Sequence, residues 1–454
     1  MPMIRFRKPL LASLFVSLTT AAAPLYAADL LEVYRTAQDR DAELRAAEAE
    51  FRAALQARPQ ARSALLPQIE GTLGYAYTDT DVDGDGRGSF DFQTRSFELS
   101  LNQTIYDHAN YVALRQADLG IAQATAVRDA ARQQLILRVA EAYFGVLSAK
   151  DNLSFAEAEK EAIGRQLEQA DRRFEVGLIA ITDVKEAQAQ FDLSVAEEIA
   201  AQNRLDQARE DLAVITGEFY ESMSELSDRM PLVLPEPADK NLWVETAREA
   251  NLNLVAQRLS TEVAAQDIKR QRSGHYPTLG LSASYTDQEF HDLPSFGSGA
   301  PGDPGPGQQF LDRRDAQIGV QLRVPIYTGG RVSSLTREAR ENFDASREQQ
   351  ELTERQTVQQ TRSAFLSVNA GISRVRALEQ ALESTRASFE AAEAGFEVGT
   401  RTAVDVLLEL RQVFRAERDF SEARYDYLLN TLRLKQAAGT LTQDDLMSVN
   451  TWLD

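Results

Sequence analysis

Few residues in this chain have the types and spacing that chemistry requires. The 454 residues include three histidines, His108, His275 and His291, and no cysteine. Thiol catalysis, disulfide bonds and thiolate metal sites are therefore excluded. No serine–histidine–aspartate order, zinc-ligand spacing or phosphate-binding loop accompanies the histidines. The sequence predicts a protein that is not an enzyme and that carries no cofactor or metal.

One acidic stretch has the opening spacing of a calcium loop. Asp81, Asp83 and Asp85, followed by Gly86, occupy the first positions of an EF-hand. The twelfth position is Phe92, where a bidentate glutamate is required, and β-type alternation flanks the loop instead of helices. An exposed acidic loop is the better interpretation.

The N-terminus has the order of a secretory signal peptide: cations, a short apolar run and a small-residue site. The apolar run is Leu10–Ala23, and we expect cleavage after Ala27. The cations are Arg5, Arg7 and Lys8. A membrane anchor is the alternative, but this run is too short to span a bilayer comfortably.

The charge balance disfavours one class of partner. The formal net charge is −20, and removing residues 1–27 would make the mature chain more acidic still, because that segment carries only cations. Nucleic-acid phosphates require lysine and arginine, so we expect no nucleic-acid partner.

Internal duplication is the most informative feature. Phe174-Glu175-Val176-Gly177 recurs 222 residues later, beginning at Phe396, and an Asp-Val pair follows each copy at the same spacing. Ile105-Tyr106 recurs at an offset of 221, and Pro67 recurs as Pro277 at an offset of 210. The sequence therefore predicts two repeats, 28–230 and 240–454, joined by a proline-containing linker, 231–239.

Each repeat begins with a helix and a pair of strands. We predict opening helices at Leu30–Ser63 and Leu242–Arg272. Period-2 alternation predicts strands at about 67–78, 95–106, 277–287 and 315–327. Each strand has the length that a tilted strand needs to cross a bilayer, although a soluble half-buried sheet is the alternative. Four strands cannot close a spanning barrel, so a dimer with eight strands and a trimer with twelve both remain open.

Long helices follow the strands, at about 108–216 and 331–438, with a C-terminal tail after the second pair. The outgoing helices, His108–Arg173 and Arg331–Glu393, contain no proline, and about 65 residues would extend about 100 Å. Their narrow apolar stripe is typical of coiled coils. The returning helices are predicted at Asp183–Thr216 and Val404–Ala438. Each repeat is thus a helical hairpin whose tip lies far from the strands.

The chain resembles the TolC family of outer-membrane export channels over nearly all of its mature length. The segments that carry the resemblance are Ser63–Gln68, Lys160–Ile163, Val176–Leu178, Ala180–Val184, Pro325–Tyr327 and Val398–Thr402.

The resemblance implies a mainly α fold with a membrane β-barrel portion. Three subunits would form a 12-stranded barrel in outer-membrane lipid, continuous with a periplasmic α-barrel. It implies passive export of drugs, small molecules or type I secreted proteins. The partners would be a periplasmic adaptor and an inner-membrane transporter of the ABC or RND type. A stand-alone porin, the alternative, has more strands per chain and no long helices.

The resemblance also implies a gate at the helical tips. By match, Thr182 and Asp183 in the first hairpin face Arg401 in the second, and Asp405 belongs to an acidic ring that attracts cations. From the residues alone, Thr182 and Asp183 are equally suited to capping a helix, and Arg401 to a solvated turn.

This chain departs from the family pattern at three gate positions. Phe396 replaces a tyrosine and cannot donate its hydrogen bond, and Arg172 replaces a glutamine. Leu408 replaces the second ring aspartate, with Glu409 beside it. We therefore expect one gate tie to be lost, and cation block to be weaker unless Glu409 substitutes.

Overall fold

The computed structural model describes residues 27–82, 88–227, 230–291 and 312–453. Residues 1–26 of the predicted signal peptide, Asp83–Gly86 of the acidic loop and 292–311 of the second strand connection lie outside the described residues. The helices are α1 Leu30–Arg40, α2 Ala42–Ala54, α3 Ala57–Ser63, α4 His108–Glu175, α5 Ile181–Thr216, α6 Lys240–Ala250, α7 Leu252–Arg272, α8 Arg331–Glu397, α9 Ala403–Ala437 and α10 Gln443–Asn450. The strands are β1 Gln68–Val82, β2 Gly88–Tyr106, β3 Thr278–His291 and β4 Asp312–Arg323. Across these ranges no helix is long and apolar enough to span a membrane.

The four strands form one antiparallel sheet in the order β1-β2-β3-β4. The β1–β2 ladder continues to Val82 and Gly88, so the prediction that the strands end near 78 and restart near 95 was wrong. Backbone pairing continues through the polar residues after 78 and before 95. A side-chain contact also links the two strands there, because the Tyr77 hydroxyl donates to Asp91 at 3.0 Å. At the other end, β4 stops at Arg323 instead of 327, because Pro325 has no N–H for the ladder.

The sheet has one apolar and one polar face, as the alternation predicts. Directly paired residues lie on the same side of a sheet, so the register gathers the apolar residues of all four strands. They include Ile69, Leu73, Leu99, Leu101, Leu281, Ile318, Val320 and Leu322. Leu73 is 83% exposed and Ile318 77% exposed. Such an apolar surface must be covered by something outside this chain.

The predicted single opening helices, Leu30–Ser63 and Leu242–Arg272, are each interrupted, which corrects the prediction. The first breaks at Asp41, whose carboxylate accepts the Leu44 N–H at 2.6 Å. The second breaks at Asn251, whose side chain accepts the Leu254 N–H at 3.1 Å. These N-caps, 210 residues apart, begin new helices. The first opening segment breaks again between α2 and α3.

The long helices have nearly the predicted bounds. Helix α4 has 68 residues and α8 has 67, which corresponds to about 100 Å each. Helix α5 returns along α4, and α9 returns along α8. Each repeat is therefore a sheet hairpin connected to a helical rod.

The largest apolar core lies partway along the rods. It joins α4 and α9 to α1, α8 and the C-terminal segment, with Tyr143, Phe144 and Tyr427 among its fully buried members. Burial raises the pKa of the Tyr143 hydroxyl, which lies 2.9 Å from the Ser224 carbonyl. The predicted tail contains a helix, α10, which an Asp445–Lys435 ion pair ties to α9.

Candidate functional site at the helical tips

The first hairpin turns around a glycine in the left-handed region. Helix α4 ends at Glu175, and Gly177 (φ +75°) follows, with its N–H donating to the Phe174 carbonyl at 2.9 Å. Such a C-terminal geometry favours glycine. Helix α5 then begins after Ala180, which provides no side-chain cap.

The second hairpin has the same turn but a different helix start. Gly399 (φ +80°) ends α8. The Thr402 hydroxyl accepts the Asp405 N–H at 3.2 Å, and the Asp405 carboxylate accepts the Thr402 N–H at 2.9 Å. This reciprocal pair is a capping box. The proposed caps Thr182 and Asp183 are not used in the first hairpin, whereas Thr402 and Asp405 form the cap of the second.

The predicted gate residues all lie at the two tips but do not pair directly within one subunit. Among the described residues, no ion pair links Asp183 with Arg401. Asp183 is half-buried, and its Oδ1 lies 3.5 Å from the Thr182 hydroxyl. The Arg401 N–H donates to the Gly395 carbonyl at 3.2 Å. Arg172 pairs with Glu168 on its own helix.

Phe396 makes a contact that the sequence did not suggest. The guanidinium carbon of Arg173 lies 4.2 Å from the centre of the Phe396 ring, a cation–π geometry. This contact joins α4 to α8, the outgoing helices of the two hairpins. The ring therefore still ties the hairpins together, through an interaction that needs no hydroxyl. The sequence did contain a signal for this contact, because Arg173 lies beside the first repeat turn and Phe396 begins the second.

The residues predicted to form the acidic ring have different surroundings. The N–H and hydroxyl of Thr402, and more weakly the charge of Arg401, hold the pKa of Asp405 below its usual range. Asp405 therefore stays ionised while it caps α9. Leu408 is 52% exposed, and Glu409 accepts a hydrogen bond from Ser388 of α8 at 3.1 Å.

Further contacts between the hairpins lie above the tips, and the sequence reasoning missed them. Glu159 of α4 is only 7% exposed. Its Oε2 lies 3.0 Å from Arg418, its Oε1 lies 3.6 Å from Arg411, and Arg411 also donates to Gln190 of α5 at 2.7 Å. We call Glu159, Arg411, Arg418 and Gln190 the buried ion network. It connects α4 and α5 to α9.

An apolar cluster lies between the buried ion network and the tips. Its buried members come from both hairpins: Ile163, Ala170, Val184, Ala187, Leu407 and Leu410. A second polar contact lies farther from the tips, where the Tyr425 hydroxyl donates to Asp151 at 2.8 Å. Burial and the Asp151 charge raise the pKa of Tyr425. Packing and charge together hold the hairpins side by side.

Comparisons with known proteins agree on one family. The family model for outer membrane efflux proteins matches residues 33–218 and 243–440, one segment in each repeat. The outer membrane protein TolC of Vibrio cholerae is 40% identical over 445 residues, covering 98% of both chains. The alkaline protease secretion protein AprF of Pseudomonas aeruginosa is 30% identical, covering 93% of this chain and 86% of that protein. The crystal structure of the CmeC outer membrane channel of Campylobacter jejuni has a TM-score of 0.75 at 15% identity, covering 100% of this chain and 98% of that one.

Proposed function

Because this chain belongs to the outer membrane efflux protein family, whose members are transport channels and not enzymes, we propose that it is a passive export duct. Its gate lies at the helical tips and opens when partners dock. The observation that carries the proposal is the combination of a four-stranded sheet, apolar on one face, with two helical rods about 100 Å long.

Assembly follows from the sheet. Among the residues that the structure describes, strands β1 and β4 each pair on one side only, and a closed membrane barrel needs at least about eight strands. Three copies give twelve strands, with the apolar face toward outer-membrane lipid and the rods in the periplasm. The subunits act with a periplasmic adaptor and an inner-membrane transporter.

The cargo follows from the relatives. The chain is similar both to TolC and to a protease secretion protein. Drugs, small molecules and type I secreted proteins are therefore the cargo classes that we propose.

The gate is a set of weak ties between neighbouring hairpins. In the proposed trimer the two kinds of hairpin alternate around a ring, so the second hairpin of each subunit would lie beside the first hairpin of the next. We assign the pair between Arg401 and Asp183 to that contact. Asp183 does not cap its helix and so keeps its carboxylate for such a pair. Within the subunit, the Arg173–Phe396 contact supplies a further tie. Arg172, which pairs along its own helix, contributes less.

The ring carboxylates attract cations at the constriction. Asp405 provides a charge that persists because its pKa is lowered, and three copies would surround the pore. Glu409 is directed toward Ser388 of α8, so it substitutes only partly for the carboxylate missing at Leu408. We therefore expect one strong acidic ring instead of two.

Single-channel recording in planar lipid bilayers tests the proposal. The wild-type trimer should show small, cation-selective conductance, and Asp183→Ala or Arg401→Ala should raise it. Lys185→Ala, an exposed cation on the same helix as Asp183, serves as the matched control. Wild-type conductance in both gate variants would refute the gate assignment, and electrically silent bilayers would refute the channel.

A further inference from the structure

The junction between helices and sheet is locally basic, although the chain has a formal net charge of −20. Arg62 in α3, Arg115 in α4 and Arg272 in α7 are exposed. None of the three forms an ion pair with any other residue that the structure describes. We call these three arginines the basic collar.

The sheet register decides on which side of the molecule Arg115 lies. Tyr106 pairs with Leu279, so both lie on the apolar face of the sheet. The Tyr106 and Tyr111 rings lie 6.3 Å apart, which places Tyr111, at the start of α4, on the same side. Arg115 follows Tyr111 by four residues and therefore shares its side of the helix.

The positions of the other two arginines follow from an ion pair between α3 and α4 and from the internal repeat. Asp118, three residues beyond Arg115, forms an ion pair with Arg58 of α3 at 3.2 Å. Arg62 lies one turn after Arg58, so it faces the same way. The offset of 210 residues that relates Pro67 to Pro277 also relates Arg62 to Arg272. The duplicated architecture thus places Arg272 in the equivalent position of the second repeat.

The depth of the collar matches a membrane surface. The nine residue steps from Tyr106 to Phe97 advance about 30 Å along β2. At a tilt of about 40° they span a height of about 23 Å, close to the apolar band of outer-membrane barrels. Beyond the outer edge of this band, charged residues such as Arg95 follow. At the inner edge lie tyrosines, which favour membrane interfaces, and then the basic collar.

Helix dipoles alone do not explain the collar. Arg62 and Arg272 lie in the last turns of their helices, where a cation is favourable without any ligand. Arg115 is the eighth residue of α4, near the positive end of the helix, where a cation gains nothing from the dipole. An exposed, unpaired arginine there, one turn below an interfacial tyrosine, points to an anionic ligand.

We infer that the basic collar binds the phosphate groups of anionic phospholipids in the periplasmic leaflet of the outer membrane. Arginine can lay its stem along apolar surface while its guanidinium reaches the headgroup level, and it binds phosphate in a bidentate manner. The trimer presents nine such arginines around its circumference. They fix the depth of the barrel in the membrane. The inference rests on the outer-membrane location and not on the proposed gate.

Lipid titration of the purified trimer tests the inference. The variant combines Arg62→Gln, Arg115→Gln and Arg272→Gln. The matched control combines Arg45→Gln, Arg362→Gln and Arg376→Gln, which remove three exposed cations elsewhere on the helices. Binding of phosphatidylglycerol and phosphatidylcholine in detergent is counted by native mass spectrometry.

Each membrane-facing cation contributes about a five-fold preference for an anionic surface. The collar variant should therefore bind phosphatidylglycerol at least about ten-fold more weakly than wild type, with phosphatidylcholine unchanged. Intact trimers and wild-type conductance show that the variant folds and keep this test separate from that of the gate.

Three outcomes would overturn the inference. The first is equal phosphatidylglycerol binding by the collar variant and wild type. The second is an equal loss in the control variant, which would indicate a general charge effect. The third is a changed reversal potential with unchanged lipid binding, which would place these arginines in the pore instead of at the lipid surface.

Discussion

Neutralising Glu159 should release the two hairpins from one another. This carboxylate is nearly buried between Arg411 and Arg418, at 3.6 and 3.0 Å. It lies 16 residues before the end of α4, which is about 24 Å from the tip. Glu159 belongs to the first hairpin and both arginines to the second, so opening that separates the hairpins must break these ion pairs unless the two hairpins move as one unit. The substitution Glu159→Gln keeps the shape and a hydrogen-bond acceptor but removes the charge.

The free-energy cost of removing the Glu159 charge follows from how deeply the ion pairs are buried. Breaking a buried ion pair by removing one partner costs about 3–5 kcal/mol, and an exposed pair contributes about 0–1 kcal/mol. The side chain of Glu159 is 9% exposed, but those of Arg418 and Arg411 are 27% and 40% exposed. Because the network is only partly buried, removing the Glu159 charge should cost about 2 kcal/mol per subunit, between these two limits. If the open state lacks the network, this corresponds to about a thirty-fold shift toward the open conformation for each subunit.

Open probability in planar bilayers measures this shift. Glu161→Gln is the matched control, because Glu161 is exposed and pairs with Arg165 along the same helix at 2.6 Å. Such a pair contributes only about 0.3–0.5 kcal/mol. The double variant Glu159→Gln with Arg418→Gln should partly recover the closed state, since it removes a cation left unpaired. If the Glu159→Gln channel opens no more often than the Glu161→Gln channel but its trimer melts at a lower temperature, the buried ion network stabilises the fold and does not control opening.

Three further predictions concern single positions. Replacing Phe396 by leucine removes the contact with Arg173 and should raise open probability several-fold, because both side chains are half-buried and a cation–π contact contributes about 0.5–2 kcal/mol from exposed to desolvated sites. Phe396→Tyr keeps the ring and should leave open probability unchanged. Because the pKa of Asp405 is lowered, its charge is complete above the usual aspartate pKa of about 3.9 and is lost only at lower pH. Reversal potentials should then agree at pH 5 and pH 7, and Asp405→Asn should reduce cation selectivity at both. A Cβ at Gly439 (φ +76°) would lie 2.2 Å from the Ala250 carbonyl oxygen, so Gly439→Ala should destabilise the subunit by about 3 kcal/mol or more, measured as earlier thermal dissociation of the trimer.

The sequence predicts the elements of this fold well because their signals are local. Period-2 alternation, proline-free helical stretches and the repeated Phe-Glu-Val-Gly turns each depend on neighbouring residues only. The breaks at Asp41 and Asn251 could also have been found, because both residues are strong N-caps at equivalent repeat positions. The predicted helices ran through them because apolar periodicity continues on both sides.

The contacts between hairpins could not be predicted in this way. Glu159 and Arg418 are 259 residues apart, and in the sequence they are two charged residues among many on amphipathic helices. Their pairing depends on how α4 and α9 rotate against each other, which periodicity does not determine. The same is true of Arg173 and Phe396. The turns and the family resemblance were therefore enough to select the helical tips as a candidate site, while the contacts between the hairpins required the structure.

The two repeat turns differ at one position that decides what their aspartates do. Asp183 and Asp405 are equivalent at the 222-residue offset, but Thr402 corresponds to Ala180. Thr402 engages Asp405 in a capping box, whereas Ala180 leaves Asp183 without one. The extended backbone of Ala180 (ψ 155°) suits a threonine cap.

The substitution Ala180→Thr should therefore build a capping box around Asp183. Helix α5 would gain about 1 kcal/mol, yet the gate would loosen, because the Asp183 carboxylate would turn toward its own helix and away from the pair proposed with Arg401 of the next subunit. Conductance should rise toward that of Asp183→Ala while the tip becomes more stable. In the control Ala180→Val, the valine side chain has nearly the shape of threonine but cannot cap the helix, so this channel should stay closed. Equal conductance in the threonine and valine variants would show that an uncapped Asp183 is not what holds the gate.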